Sequence, residues 1–203
     1  MDQPVRSGGK LDGVVPLVSF PDLVSFPDQA CVDDIVVRCP SEADIPGLAG
    51  LFSEMQSHYK QPVSDAAATT AATLACRAPA STFDPRVLVA LAGDAVVGSL
   101  VMNVTFPASG LTLALYIRDL YVAKTARRRG VGQMLVKAAT ALRVSGGFSA
   151  LEWTTDSTNA AARRLYEACG ARQQDRTYFH ERRGVKQPVA AERRLRGGQA
   201  PGA

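Results

Sequence analysis

The sequence predicts an α/β layered fold built on a single sheet, and three observations predict it. Strand-like runs come first and give way to an alternation of strand, helix, strand, helix and strand, the order in which helices cover a sheet. Gly93-Asp94 separates two apolar runs, the pairing typical of a hairpin turn. Finally, the largely apolar segment Leu113 to Val122 runs into Arg127-Arg128-Arg129-Gly130-Val131-Gly132, beyond which apolar residues recur at helical spacing.

Each element has a local reason. Ile35 to Arg38 is a short first strand, and Ser41 can cap a helix carrying Ile45, Leu48, Leu51, Phe52 and Met55 on one face. Asp65 to Cys76 is rich in alanine and threonine and is expected to be helical. Arg86 to Leu91 and Ala95 to Thr105 are the arms of the hairpin, and Leu113 to Val122 is the next strand. Val131, Met134, Leu135, Ala138, Ala139 and Leu142 then form the apolar side of a helix that Gly146-Gly147 ends. Ser149 to Thr155 reads as a strand, Asn159 to Ala168 as a helix and Arg176 to His180 as a last strand.

The glycine pair carries the chemistry. A helix that opens on Gly130-Val131-Gly132 lets backbone come close to an anion, because glycine lacks a Cβ. Its unpaired amides and positive dipole end then bind phosphate. A dinucleotide fingerprint would require a third glycine where Leu135 stands, with Glu152 or Asp156 as the ribose acid. A P-loop would require Gly-Lys-Ser/Thr, and Gly132-Gln133 does not continue that way, which excludes it.

With the polar segment Asn159-Ala160-Ala161-Ala162-Arg163-Arg164-Leu165-Tyr166 following one strand later, the sequence resembles the GNAT N-acetyltransferase family. Arg127 to Gly132 match its glutamine-or-arginine, two variable residues, glycine, variable residue, glycine-or-alanine signature. Asn159, Ala162, Leu165, Tyr166 and Gly170 match its second motif, and the likeness spans Ile35 to His180. The resemblance implies a mixed, mostly antiparallel central sheet flanked by helices on both faces, with acetyl-coenzyme A (acetyl-CoA) as co-substrate and no metal.

It also assigns residues. The strand end Leu120, Tyr121 and Val122 should offer backbone groups to the pantetheine arm, next to a strand that splays away. Arg127, Arg128, Arg129, Gly130, Val131, Gly132 and Gln133 should hold the pyrophosphate, the arginines adding paired hydrogen bonds. Asn159 reaches the cofactor or caps its helix. Tyr166, two turns along the same face, is implied as the general acid that protonates the leaving thiolate. A phenol is suited to that proton transfer, because its basicity is comparable to that of the thiolate.

The expected acceptor is a primary amine of a small molecule. Family members that acetylate histones carry a glutamate at the position aligned with Tyr116, which cannot act as that base. Tyr116 to Val122 resembles instead the branch that acetylates diamines and related small amines, except that Arg118 stands where that branch has an acid. Arginine there opposes a polycation and suits an acceptor bearing a carboxylate, or else pairs with a neighbouring acid. Glu54, His58 and Tyr59 cluster before Gln61-Pro62 as further acceptor-side candidates, and Glu54 and His58 share a face if the helix continues that far. A protein or peptide N-acetyltransferase, a non-catalytic acyl-CoA sensor and a scaffold acting through its tails are the competing classes. Family members are often dimers, so a homodimer is also expected.

Composition agrees with one catalytic domain. The chain has 203 residues, 46% of them hydrophobic, enough for a core. No apolar run reaches the roughly 18 residues of a membrane span, and Met1-Asp2-Gln3-Pro4 does not open a secretory signal. The four cysteines, Cys31, Cys39, Cys76 and Cys169, have no metal spacing, and the histidines are His58 and His180. Together these features lead us to expect a cytoplasmic protein with reduced thiols.

The ends differ from the middle. Leu17 to Asp22 is repeated without change as Leu23 to Asp28, and residues 1–33 read as a flexible extension, a local duplication or a docking peptide. Arg182, Arg183, Lys186, Arg193, Arg194 and Arg196 against Glu181 and Glu192 account for the net charge of +4. Residues 182–203 therefore read as a basic, flexible tail and residues 34–181 as a near-neutral domain, with a nucleic-acid or membrane role not expected.

Overall fold

The computed structural model describes residues 35–179. The N-terminal extension with its repeat, the basic tail, Cys31 and His180 lie outside them. Strand β1 (Ile35–Arg38) is followed by helices α1 (Ile45–His58) and α2 (Asp65–Ala75), then by β2 (Arg86–Ala92), β3 (Ala95–Thr105) and β4 (Ala114–Val122). Helix α3 (Val131–Ser145), the short strand β5 (Leu151–Glu152) and α4 (Ala160–Ala168) complete the series. The strands lie in chain order in one sheet, antiparallel from β1 to β4, with β5 parallel to β4.

Helices cover both faces. Adjacent strand residues point to opposite sides, and the last two residues of β4 locate the layers. The Tyr121 hydroxyl reaches Glu54 on α1, whereas Val122 lies against the start of α3 at Gly132. The core between the layers is apolar and closed, with Leu48, Leu88, Leu100, Met102, Leu115 and Leu135 fully buried. Gly98 on β3 lets α3 sit close, since a Cβ there would come 3.0 Å from Val131 and 3.2 Å from Leu135.

Two expectations are corrected. Strand β5 is two residues long instead of extending from Ser149 to Thr155. No strand follows α4 among the described residues: Arg176 to Phe179, expected to extend to His180 as a strand, have no regular structure. Residues 173–179 form part of a unit separate from the domain. Gln173-Gln174-Asp175-Arg176 offers no apolar alternation to bury, and Phe179 is 88% exposed.

Ser41 lies ahead of one 3-10 turn, Glu42–Asp44, that leads into α1. Its amide and hydroxyl both donate to Asp44 Oδ2, at 2.6 and 2.9 Å. The Arg38 guanidinium grips both oxygens of the same carboxylate, at 2.6 and 2.9 Å. Asp44 is buried, and the Arg38 hydrogen bonds hold its carboxyl down at about 2. Because the folded value lies below the unfolded one, this stabilisation is present above about pH 4 and is lost as pH falls through about 2. Asp44→Asn should therefore cost about 2 kcal/mol at neutral pH in urea unfolding, and the gap to the parent protein should shrink as pH falls below about 4.

Candidate active site

The site begins with an open strand edge. β3 pairs with β4 from Thr105↔Ala114 to Gly98↔Val122, but β5 pairs with β4 only at Leu115 and Tyr116. Beyond Glu152 the chain leaves β4, and Trp153 instead meets the ring of Tyr166 edge-on at 5.0 Å. The Ala123 amide donates to Val97 on β3 at 2.9 Å. Successive peptide groups point to opposite sides, so the Val122 amide and carbonyl point away from β3 into the opening, and those of Leu120 share that direction.

A bulge sets this phase. Met102 opposes Ile117 while Val101 opposes Asp119, which leaves Arg118 as the extra residue of β4. Near β5 it is the Leu115 amide that points outward, to Ala150 at 2.9 Å. Without the extra residue, the odd-numbered residues would still point outward at the end of the strand.

The strand leads into an anion cradle. Arg128 and Gly130 both have positive φ, 63° and 78°, so the turn folds around its own amides. Gly130 gives α3 no side-chain cap, and the amide of Met134 is the one that bonds back to Gly130, at 3.0 Å. The amides of Val131, Gly132 and Gln133 remain open at the positive end of the helix, an arrangement that fits a pyrophosphate. Gly132 is small for a second reason, since a Cβ there would come 3.0 Å from Leu165 of α4. That contact seats α4 beside the cradle.

Arg127 is engaged within the protein. Its Nε donates to the Val122 carbonyl at 3.1 Å, and its guanidinium lies 5.4 Å from the centre of the Tyr121 ring. Arg128 is exposed and Arg129 half-buried in the turn.

On α4, Asn159 acts as the cap, its Oδ1 accepting from the Ala162 amide at 3.1 Å. Tyr166 is half-buried, and burial raises its phenol above the ordinary value, with Tyr59, Asp119 and Cys169 adding to the rise. It therefore keeps its proton at neutral pH.

The acceptor-side candidates separate. Helix α1 continues to His58, so Glu54 and His58 do share a face. Glu54 ties layers together: its Oε1 accepts from the Tyr121 hydroxyl at 3.0 Å and the Lys124 amide at 2.9 Å. The His58 ring lies 5.4 Å from Tyr59 and 6.0 Å from Tyr121, and Tyr59 is exposed. Arg118 is exposed on the bulge and forms no ion pair among the described residues, while its charge acts on the carboxyl of the neighbouring Asp119. Tyr116 holds Thr154, hydroxyl to hydroxyl at 2.9 Å.

Two residues here were not singled out from the sequence. Trp153 gave no signal beyond its strand. Asp119 did, as a carboxylate in an apolar run beside Arg118. Burial raises its carboxyl above the ordinary range, against a hydrogen bond from the Leu120 amide and the nearby Arg118 charge. No helix among the described residues is long and apolar enough to cross a membrane.

Comparison with known proteins agrees with this geometry. Residues 49–171 match the family model described as acetyltransferase (GNAT) family. An uncharacterized N-acetyltransferase of Bacillus subtilis, YhfO, is 26% identical over 144 residues, 71% of this chain and 93% of that protein. The D-amino-acid N-acetyltransferase HPA3 of Saccharomyces cerevisiae is 30% identical over 147 residues, 69% of this chain and 86% of that one. Among solved structures, AAC(6')-Iy in complex with the bisubstrate analog CoA-S-monomethyl-acetylneamine aligns with a TM-score of 0.60 at 16% identity, covering 73% of this chain and 98% of that chain. Its likeness is one of fold. An open strand edge that runs into an uncapped helix start, on a chain matched by the family over most of its domain, makes this protein an acyltransferase of the GNAT family, whose members use acetyl-CoA as co-substrate.

Proposed function

We propose that the protein transfers the acetyl group of acetyl-CoA to the primary amine of a small, carboxylate-bearing acceptor of the amino-acid type, with Tyr166 as general acid. The observation that carries this reading is the open edge of β4, which ends at the uncapped start of α3 with Tyr166 on the neighbouring helix.

The Leu120 and Val122 backbone groups bind the pantetheine arm, and a strand amide there polarises the thioester carbonyl. The amides of Val131, Gly132 and Gln133 hold the pyrophosphate, with Arg128 and Arg129 adding positive charge. The amine attacks the carbonyl directly and the carbon–sulfur bond breaks. Tyr166 then gives its proton to the departing thiolate, a transfer helped by a phenol that has kept its proton until that moment. Arg118, exposed and without an ion pair among the described residues, receives the acceptor's carboxylate. That the yeast relative is named for D-amino acids is consistent with such an acceptor. His58 and Tyr59 line the acceptor side, and Glu54 supports it by holding Tyr121.

Thiol release from acetyl-CoA against a panel of amino acids, their decarboxylated counterparts, polyamines and aminoglycosides tests the acceptor. Carboxylated amines should be preferred, and Arg118→Ala should raise their KM about 10-fold or more while leaving decarboxylated counterparts unchanged. A preference for polyamines would overturn the carboxylate assignment. Tyr166→Phe should lower kcat about 100-fold with acetyl-CoA affinity retained in calorimetry, and an unchanged kcat would remove Tyr166 from the chemistry. Glu54→Ala should cost about 2 kcal/mol of stability in urea unfolding and leave the shape of the pH–rate profile intact, as befits a tie and not a base.

A further inference from the structure

A general acid must be aimed as well as present. A tyrosine on a helix turns about two side-chain bonds, so its place on α4 does not by itself set the direction of its hydroxyl. Misplacing a reacting group by about 1 Å can cost 100-fold in rate. The direction of Tyr166 therefore depends on the surfaces that hold α4 and the ring it carries.

Helix α4 has little hold of its own. It is nine residues long and none of them is buried, and a helix of that length is marginal by itself in water. The Asn159 cap fixes its start. Two consecutive residues then meet the rest of the domain: Leu165 packs at Gly132 of α3, and Tyr166 meets the ring of Trp153. Successive residues of a helix project about 100° apart, so the first contact sets how close α4 lies and the pair sets its rotation about its own axis.

Trp153 is suited to be the fixed side of the second contact. It is the first residue beyond β5, and it is half-buried and packed against the hydrophobic core. Its neighbour Thr154 is tied to β4, hydroxyl to hydroxyl with Tyr116 at 2.9 Å, and Tyr116 lies opposite Glu152 in the sheet. The residues on either side of Trp153 are thus both attached to Tyr116, one through the strand register and one through the hydroxyl, which anchors the backbone that carries the indole. The two rings meet with centroids 5.0 Å apart and planes at 61°, the edge-to-face arrangement that aromatic quadrupoles favour. Turning the phenol from this direction breaks that contact.

We propose that Trp153 is a positioning residue for the transfer: its indole, anchored at the end of β5, fixes the direction of the Tyr166 ring and so the reach of the phenol to the departing sulfur. This rests on the transferase reading above, in which Tyr166 gives its proton to that sulfur as the carbon–sulfur bond breaks. Trp153 takes no part in the bond changes and acts through Tyr166. An indole that only filled the core would matter equally with or without the phenol hydroxyl, whereas this one matters only while there is a proton to deliver.

Thiol release with acetyl-CoA, and with whichever amine of the panel above the parent turns over best, supplies the rates. Trp153→Leu should lower kcat about 10-fold or more while the KM values for acetyl-CoA and the amine stay within about threefold. Trp153→Phe, which keeps an aromatic edge against the ring, should hold kcat within about threefold of the parent. Added to Tyr166→Phe, Trp153→Leu should lower kcat by less than about twofold more, since the hydroxyl that the indole aims is already gone. A loss as deep in that background as in the parent shows a general structural role and overturns the proposal. So does a Trp153→Leu variant within about threefold of the parent kcat beside a slow Tyr166→Phe. Tyr166→Phe at the parent rate overturns the acid assignment itself and this proposal with it, so the two failures are told apart by which variant keeps its rate.

Trp153 is the only tryptophan of the chain, so its emission reports this contact without activity. Tyr166→Ala should move that emission to longer wavelength by opening the indole to water, and Tyr166→Phe, which keeps the ring, should not. Emission unchanged by Tyr166→Ala would place the rings apart and remove the contact on which the proposal stands.

Discussion

The rest of the site depends on one mismatch in the sheet: β4 is hydrogen-bonded along its whole length to β3 but to β5 at only Leu115 and Tyr116. Unpaired backbone groups at a sheet edge are ordinarily a liability. Here the exposed stretch is short, ends in the cradle turn and lies beside α4, whose Leu165 packs at Gly132. The bulge at Arg118 matters for the same reason. It determines which backbone groups face the opening and which side chains face α1, so one inserted residue sets the phase of both.

A second dependence runs between layers. Glu54 on α1 holds the Tyr121 hydroxyl and the Lys124 amide, Tyr121 carries Arg127 over its ring, and Arg127 holds the Val122 carbonyl. Burial, followed by the Glu54 hydrogen bond, raises the Tyr121 phenol, so it stays a donor at any physiological pH. This chain fixes the end of β4 and the first turn of the cradle against α1. Position is what an acyltransferase must supply, since displacements of about 1 Å can cost 100-fold in rate.

Much of this was legible in the sequence, for reasons that can be traced to particular residues. The hairpin at Gly93-Asp94, the apolar faces of α1 and α3 and the glycine cradle are local patterns, and local patterns determine local structure. The brevity of β5 was not legible, because Ser149 to Thr155 has strand composition, whereas its pairing depends on where the chain is pulled by Trp153. Glu54 was recognised as a member of the acceptor-side cluster, but its partners, Tyr121 and Lys124, are too distant in sequence to infer from spacing. Asp119 was passed over beside Arg118, since ordinary alternation would put the two on opposite faces. Only the register exposes the bulge that brings them together.

Arg127 adds a constraint on how the cofactor can be held. Its Nε already bonds the Val122 carbonyl, one of the outward-pointing groups of the open edge. A ligand amide that took this carbonyl would exchange one hydrogen bond for another, and such exchanges contribute little net free energy. The outward amide of Val122 and the uncapped start of α3 carry no comparable occupant among the described side chains, whereas the Leu120 amide already donates to the Asp119 carboxyl. On the proposed reading, affinity for a pyrophosphate-bearing thioester comes mainly from backbone amides at the strand edge and the helix start, with the Arg127 guanidinium acting through the strand it braces.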